Sequence, residues 1–205
     1  MNCSPRHITP PARSLAIGMM SFVGANAITQ VNNGPSADVT GLETQMLWLP
    51  TNALEISASF AWIDSELNGD YCVGCNSDGS SWAPSGTQLP VTAKFKGNVL
   101  ARYNFVMGGF DPYLQGTLSH EGSHGSSLNV ADNKIRGDVP SSNLVDLAAG
   151  IRRDNYSIDL FVKNATDEDA AQFLTSGCAT GTCGTQSYGV KHRPRTIGLR
   201  FTQDF

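Results

Sequence analysis

The stretch VTAKFKGNVLARYNF, residues 91–105, decides the fold because apolar and polar side chains alternate along most of it. Successive side chains of a β-strand point to opposite faces of a sheet, so a period of two indicates a strand with one apolar face. The run is longer than the roughly five or six residues usual for a strand in a soluble protein. It reaches the roughly 9 to 11 residues that a tilted strand needs to cross a bilayer, and it therefore predicts a membrane-spanning strand.

The alternation recurs along the chain, and the connections between its segments alternate in length. It is clear at 54–62, 145–152, 156–163 and 196–205, and weaker at 40–48 and 110–118. Short connections occupy 49–52, 107–109 and 153–155; long polar connections occupy 66–90, 120–142 and 165–192. A soluble sandwich has no reason for this asymmetry, whereas outer-membrane barrels have short periplasmic turns and long extracellular loops. The prediction is an all-β, antiparallel transmembrane barrel, partial, of about eight strands.

The N-terminal region allows two interpretations. Residues 1–14 are expected to be irregular, and 15–205 to form one barrel domain. Segment 15–30 is apolar enough to supply one strand, which gives eight strands in all. Residues 1–27 also resemble a signal peptide, with basic residues before an apolar run and an A-x-A site at 25–27. Cleavage there would leave seven strands.

Composition excludes other classes of protein. Charged residues are 16% of the chain, below the roughly 25% of soluble domains, and no run of about 20 apolar residues predicts a membrane-spanning helix. The net charge is −4 and the 14 Lys and Arg residues are scattered, so nucleic acid is not an expected partner.

Five cysteines fall as one single residue and two close pairs. Cys3 is alone, while Cys72 and Cys75, and Cys178 and Cys183, each lie in a Gly/Ser-rich stretch. Loop disulfides in an oxidising compartment fit this placement. A zinc site built from both pairs is the alternative, although it needs four thiolates to converge from distant segments.

One catalytic motif is present, HEGSH at 120–124. In zinc hydrolases two histidines one helical turn apart, here His120 and His124, bind the metal. That arrangement needs a helix, and the glycines and serines around this motif disfavour one. We expect a polar loop, no enzyme activity and no cofactor; a zinc hydrolase remains the remote alternative.

Candidate ligand contacts come from two regions. Aromatic residues in the long loops could anchor a ligand at the cell surface, or they could serve loop packing alone. Charged residues on the polar strand faces could line a ligand path, or they could pair with one another in a satisfied network. The ligand-binding candidates are Tyr71, Trp82 and Phe173 in the loops and Lys94, Arg102 and Arg152 on the strands.

Three segments together resemble one protein family. They are NNGPSADVTGLETQMLWLPTNALEISASFAWIDSEL at 32–67, FVKNATDEDA at 161–170 and RPRTIGLRFTQDF at 193–205. Their order resembles the C-terminal β-barrel portion of TonB-dependent outer-membrane receptors. The family has a barrel of roughly 22 strands with a plugged lumen, so the resemblance assigns about a third of the strands to this chain and leaves out the plug.

The resemblance implies a place and a role. The place is the bacterial outer membrane, and the role is uptake of a siderophore-like metal chelate or another scarce nutrient such as an oligosaccharide. Implied partners are outer-membrane lipid, the barrel assembly machinery, the small nutrient ligand and, only in the full-length receptor, the TonB complex. The implied assembly signal is the outward set Ile197, Leu199, Phe201 and Phe205, from which Gln203 departs as a polar residue. The alternative function is a small self-contained barrel with a structural or adhesion role.

Overall fold

The fold is an antiparallel sheet of eight long strands, with smaller elements in the long loops. The computed structural model describes residues 2–8, 34–72, 79–175 and 186–204. The elements are β1 (Asn2–Ile8), β2 (Ala37–Trp48), β3 (Leu54–Leu67), β4 (Phe95–Asn104), β5 (Asp111–Glu121), α1 (Val130–Arg136), β6 (Ser142–Arg153), β7 (Tyr156–Lys163), β8 (Ala171–Thr175), β9 (Tyr188–Lys191) and β10 (Thr196–Gln203).

The main sheet follows chain order, β1-β2-β3-β4-β5-β6-β7-β10, and all its pairings are antiparallel. Within the described residues β1 and β10 each have one neighbour, so the sheet is open rather than a closed narrow barrel. β8 and β9 pair only with each other. The predicted class, a partial antiparallel barrel of about eight strands, is confirmed.

Short and long connections alternate as predicted, and local chemistry fixes the short ones. In the β2–β3 turn, Thr51 Oγ1 accepts hydrogen bonds from the backbone N–H groups of Ala53 and Leu54, at 3.2 and 3.0 Å. The β4–β5 turn places Gly108 and Gly109 at positive φ, which glycine adopts without steric cost. The β6–β7 turn has Asp154 at φ 51, a conformation that Asp tolerates better than most residues.

Residue parity separates two faces of the sheet. The register aligns Ile56, Ala101, Gly116, Leu147 and Val162 across five strands, so these residues share one face. The neighbouring positions, such as Asn98 opposite Ser119, share the other face. We call the apolar face the outer face and the polar face the inner face, since a membrane barrel turns its apolar side to lipid.

The segment 91–105 forms a shorter strand than its alternation predicts. β4 begins at Phe95, and Val91 has φ 58. The backbone before β4 forms hydrogen bonds with other segments instead. Leu89 N–H donates to the Ser65 carbonyl at 3.2 Å, and Val91 N–H donates to the Gly125 carbonyl at 2.8 Å. The predicted boundary at 91 is therefore wrong by four residues.

Two loop predictions were incomplete. The predicted polar loop 120–142 contains α1, whose N-cap Asn129 accepts from Ala131 N at 2.9 Å and Asp132 N at 3.3 Å. The predicted loop 165–192 contains the β8–β9 hairpin. The only sizeable buried apolar cluster in the described residues lies at the long-loop end; it comprises Leu67 at the end of β3 and the loop residues Tyr71, Ala83 and Leu128.

The N-terminal expectations met different outcomes. A strand, β1, occupies Asn2–Ile8 within the segment 1–14 that was expected to be irregular, because its backbone pairs with β2 from Asn2 opposite Leu47 to Ile8 opposite Gly41. The segment 15–30 and the signal-peptide site at 25–27 lie outside the described residues. In the described part of the chain no helix has the length and apolar character needed to cross a membrane.

Candidate ligand-binding surface

The inner face is built from charged and polar pairs that face one another across neighbouring strands. Lys96 on β4 lies opposite Glu121 on β5, and Lys96 Nζ is 2.6 Å from Glu121 Oε1. Next along the same strands, Asn98 Nδ2 donates to Ser119 Oγ at 2.9 Å. The alternation of each strand puts these side chains on one face, and the antiparallel register then brings each pair together.

A second paired region lies at the start of the long connection after β7. Lys163 Nζ is 2.8 Å from Asp146 Oδ2 on β6. The other oxygen of Asp146 accepts the backbone N–H of Asn164 at 2.9 Å. Both ion pairs of the inner face are partly exposed, so each contributes modestly to stability, typically about 0.2–1 kcal/mol.

Near the short-turn end, aromatic contacts take the place of ion pairs. Tyr113 on β5 donates its hydroxyl to Asp159 Oδ1 on β7 at 2.6 Å, which spans β6 between them. The Arg102 guanidinium lies 3.8 Å from the centroid of the Tyr113 ring, a cation–π distance. Gly150 on β6 lies under this ring, since a Cβ there would collide with Tyr113 and Asp159.

The polar face contains recesses at both ends. At the long-loop end, a recess of about 410 Å³ is lined by residues of β2 to β6 and by His192. At the short-turn end, a recess of about 420 Å³ is lined by Arg102, Tyr113, Arg152 and Asp159 among others. The first recess includes the Lys96–Glu121 pair, so the charge of Lys96 is already neutralised there.

The six predicted ligand contacts are not brought together. Tyr71 is 3% exposed and belongs to the loop cluster, with Trp82 packed against it. Leu67, Ala83 and Leu128 enclose Tyr71, which favours loop packing over ligand contact, the two alternatives that the sequence left open. Burial also raises the pKa of the Tyr71 hydroxyl above its usual value near 10.0.

The other candidates have separate surroundings. Phe173 is partly exposed on β8, opposite Val190 on β9. Lys94 Nζ is 2.9 Å from Asp64 Oδ1 at the long-loop end. Arg102 and Arg152 both line the short-turn recess, where Arg152 lies opposite Asp111. Arg102 and Arg152 thus share a recess, whereas Lys94 and Phe173 lie elsewhere in the described residues.

The HEGSH motif does not form a helix. His120 is the penultimate residue of β5 on the outer face, where its ring centroid is 5.7 Å from that of Phe95 and its Nδ1 is 2.8 Å from Asn143 Oδ1. His124 is buried in the loop, paired through its backbone with Val139. Because His120 lies in a strand and His124 in a loop, the two histidines do not have the helical spacing that zinc hydrolases need.

The cysteine predictions are testable only in part. Cys72 is disulfide-bonded. Cys75, Cys178 and Cys183 lie outside the described residues, so the connectivity stays a prediction.

The terminal strand presents Ile197, Leu199 and Phe201 on the outer face with exposures of 68%, 71% and 62%, while Phe205 lies outside the described residues. Gln203 lies opposite Tyr156 and donates from Nε2 to the Tyr156 hydroxyl at 3.3 Å. Gln203, the polar residue among the outward apolar positions of β10, therefore has a polar partner at the short-turn end.

Sequence reasoning missed Asn164 as an organising residue. It is 5% exposed with φ 48, its Nδ2 donates to the carbonyls of Glu168 and Arg193 at 3.0 Å each, and its Oδ1 accepts from Glu168 N at 2.8 Å. Asn164 thereby joins the end of β7 to the segment that enters β10. The available signal was its position directly after the β7 alternation, since Asn favours positive φ at strand ends.

The strands, the two faces and the asymmetric connections define the chain as wall of a transmembrane β-barrel with a polar lumen. Residues 10–165 match the family described as TonB dependent receptor-like, beta-barrel. The chain belongs to this family, whose members are bacterial outer-membrane proteins, and it lies in that membrane.

Solved structures show the same fold. The ferric yersiniabactin uptake receptor FyuA from Yersinia pestis matches 86% of this chain with TM-score 0.67 and 16% identity, over 25% of its own length. The ferric preacinetobactin receptor BauA from Acinetobacter baumannii matches 99% with TM-score 0.62 and 14% identity, over 26% of its length. The ferric-catecholate import receptor Fiu from E. coli K12 matches 88% with TM-score 0.59 and 20% identity, over 23% of its length. The chain thus spans about a quarter of these receptors. A search of curated proteins finds no match.

Proposed function

We propose that the chain forms the C-terminal part of the barrel wall of an outer-membrane receptor that takes up a siderophore-like metal chelate or another scarce nutrient. The carrying observation is the open eight-stranded sheet, which matches about a quarter of each siderophore receptor. A sheet edge in the hydrocarbon region leaves backbone groups without hydrogen bonds, so this wall needs further strands to close it. The ligand would pass along the inner face, and the TonB complex would act only on the whole receptor.

The role is transport rather than catalysis. The inner face offers paired cations, hydroxyls and amides, which suit reversible contacts with a polar ligand. The motif that first suggested catalysis is divided between the outer face and the loop interior. Contacts with lipid and with the barrel assembly machinery are part of the same proposal, through the outer face and through the terminal strand.

Gene deletion tests the uptake role. Deleting the gene should lower the accumulation of an iron-55 chelate by iron-starved cells, and restoring it should recover that accumulation. Unchanged accumulation for every ferric chelate tried, together with a loss of surface adhesion, would overturn uptake in favour of the structural or adhesion role.

The length of the protein in the membrane provides a second test that distinguishes a large receptor from a small self-contained barrel. An antibody against 122–141 should detect a product about four times the length of this chain, as in the matched receptors. A product of 205 residues that migrates as a compact band before heating and more slowly after it would instead establish a self-contained barrel.

A further inference from the structure

An apolar groove indents the outer face across β4, β5 and β6. It encloses about 480 Å³, and its lining includes Ala101, Tyr103, Leu114, Gly116, Leu147 and Ala149. The register places Ala101 beside Gly116, and Ala149 beside Leu114, so the small residues of three strands form the floor. Leu114 and Leu147, each about half exposed, border this floor. The outer face therefore has room for an apolar chain at this place.

The groove lies at a depth that an acyl chain of one leaflet reaches. Ala149 precedes Arg153 by four residues on β6, so both face outward. Four residues span about 14 Å of strand, or about 10 Å of depth at a tilt of roughly 45°. The hydrocarbon layer of one leaflet is about 15 Å thick, half of the bilayer's roughly 30 Å. With Arg153 at the membrane surface, Ala149 therefore lies within the hydrocarbon layer of the same leaflet.

The short-turn end of β6 presents one cation and one anion side by side. Asp154 Oδ2 lies 3.8 Å from Arg153 Nε, too far for a hydrogen bond, and both side chains are more than half exposed. The Arg153 guanidinium lies 4.8 Å from the centroid of the Phe110 ring, and aromatic rings are typical of the membrane surface. Both charged groups thus keep hydrogen-bonding capacity for a group outside the protein.

The turn that carries Asp154 is held in place by the end of the terminal strand. Asn155 Nδ2 donates to the Asp204 carbonyl at 2.9 Å, and the Asp204 N–H donates to the Asn155 carbonyl at 2.9 Å. Asp154 itself has φ 51. The two charges therefore have a defined position relative to the groove.

We propose that the groove binds one acyl chain of a phosphatidylethanolamine molecule, whose phosphate contacts Arg153 and whose ammonium contacts Asp154. The head group carries one negative and one positive charge, which match a neighbouring guanidinium and carboxylate through charge-assisted hydrogen bonds. The acyl chain gains dispersion contacts with the floor and borders of the groove that a flat surface does not offer. The site goes beyond the proposed uptake function, since it requires only that the outer face lies in the membrane.

Two other phospholipids provide the comparison. Phosphatidylglycerol has the phosphate but no ammonium, so it leaves the Asp154 carboxylate beside an added negative charge. Phosphatidylcholine has a methylated ammonium, which has no N–H to donate to that carboxylate. With equal acyl chains, all three lipids fill the groove alike, and any difference in affinity reports on the head group.

Native mass spectrometry tests the proposal on protein purified from outer membranes in detergent, at the length at which the gene expresses it. The wild-type protein should bind phosphatidylethanolamine more tightly than the other two lipids. Arg153→Gln should weaken this binding by about fivefold, as expected for one basic residue near a membrane surface. The control Lys134→Gln removes an exposed cation from α1 and should leave binding unchanged.

Asp154→Asn separates the two charges of the head group. Asparagine tolerates the positive φ of this turn, so the backbone should be retained. The variant removes the carboxylate that meets the ammonium, and the preference for phosphatidylethanolamine over phosphatidylglycerol should be lost.

Filling the groove tests the acyl-chain contact. Ala149→Leu adds bulk to the floor and should weaken binding of all three lipids. The control Val145→Leu adds bulk to the same face of β6 outside the lining and should leave binding unchanged.

Three results would each overturn the proposal: equal binding of the three lipids by the wild-type protein, unchanged binding by Ala149→Leu, or a preference for phosphatidylethanolamine that survives Asp154→Asn. A dimer mass that disappears in Ala149→Leu would assign the groove to a second copy of the chain and would overturn it too. None of these results depends on uptake. A protein that binds phosphatidylethanolamine through Arg153 but supports no chelate accumulation would disprove only the uptake function.

Discussion

Adjacent residues of β6 meet opposite environments, and the difference explains how one strand serves two purposes. Leu147 points to the outer face and is 49% exposed among other apolar side chains, whereas Asp146 points inward and pairs with Lys163. On the outer face, stability depends on contact with lipid, which accepts any apolar shape. On the inner face, stability depends on which side chain lies opposite, so a substitution there acts by removing contacts with particular partners.

The largest expected effect comes from placing a charge on the outer face. Leu147→Arg lies midway along β6 and should lower the free energy of unfolding by about 2–4 kcal/mol, the usual cost of a cation at the centre of a bilayer. Ala148→Arg is the matched control, because the next residue faces the lumen. Urea titration of the purified protein in lipid vesicles measures both variants. Equal losses would show that the two faces have been assigned incorrectly.

The end of β7 belongs to neither face and depends on one buried amide. Asn164→Ala removes three side-chain hydrogen bonds and should cost about 2–3 kcal/mol, because buried backbone groups lose their partners. Asn164→Asp keeps the acceptor for Glu168 N–H but loses both donors, so it should cost less than the alanine variant. Hydrogen exchange at Glu168 locates the effect. An alanine variant with unchanged protection there would contradict the assigned role of Asn164.

Replacing one glycine on each face by alanine adds a single methyl group and compares how tightly the two faces are packed. A Cβ at Gly150 would collide with Tyr113 and Asp159 on the inner face, so Gly150→Ala should break the hydrogen bond between them and cost about 1–3 kcal/mol. A Cβ at Gly116 on the outer face would meet Leu147 Cδ2 at 3.7 Å, an ordinary contact. Gly116→Ala should therefore be nearly neutral in the same urea titration. If Gly116→Ala lowered the free energy of unfolding and Gly150→Ala did not, the expected difference between the two faces would be contradicted.

The sequence predicted the outer face better than the inner one for a physical reason. Parity alone assigns Leu147 or Leu199 to the lipid side, because any apolar side chain suffices there. A partnership such as Lys96 with Glu121 requires the exact β4–β5 register, which depends on the turn geometry as well as on alternation. The alternation could therefore indicate that inward charges pair, but not which ones.

Loop structure was the least predictable part. α1 has only seven residues, and a helix that short is stable mainly through its cap and its packing, here Asn129 and the loops around it. β8 and β9 have five and four residues, too few for a period of two to stand out. The recess between this hairpin and the ends of β6 and β7 depends on where the hairpin sits, so its residues could not be grouped from sequence.

The smallest expected effect concerns the place where the outer face ends. Gln203 and Tyr156 form a hydrogen-bonded pair at the short-turn end, where aromatic and polar side chains meet the membrane surface. At that level water competes for both groups, so Gln203→Leu and Tyr156→Phe should together show a coupling energy below about 0.5 kcal/mol in a double-mutant cycle. A coupling above about 1 kcal/mol would mean that the pair lies in hydrocarbon, where an unpaired polar group is costly. The periplasmic boundary of the outer face would then lie beyond Gln203 rather than at it.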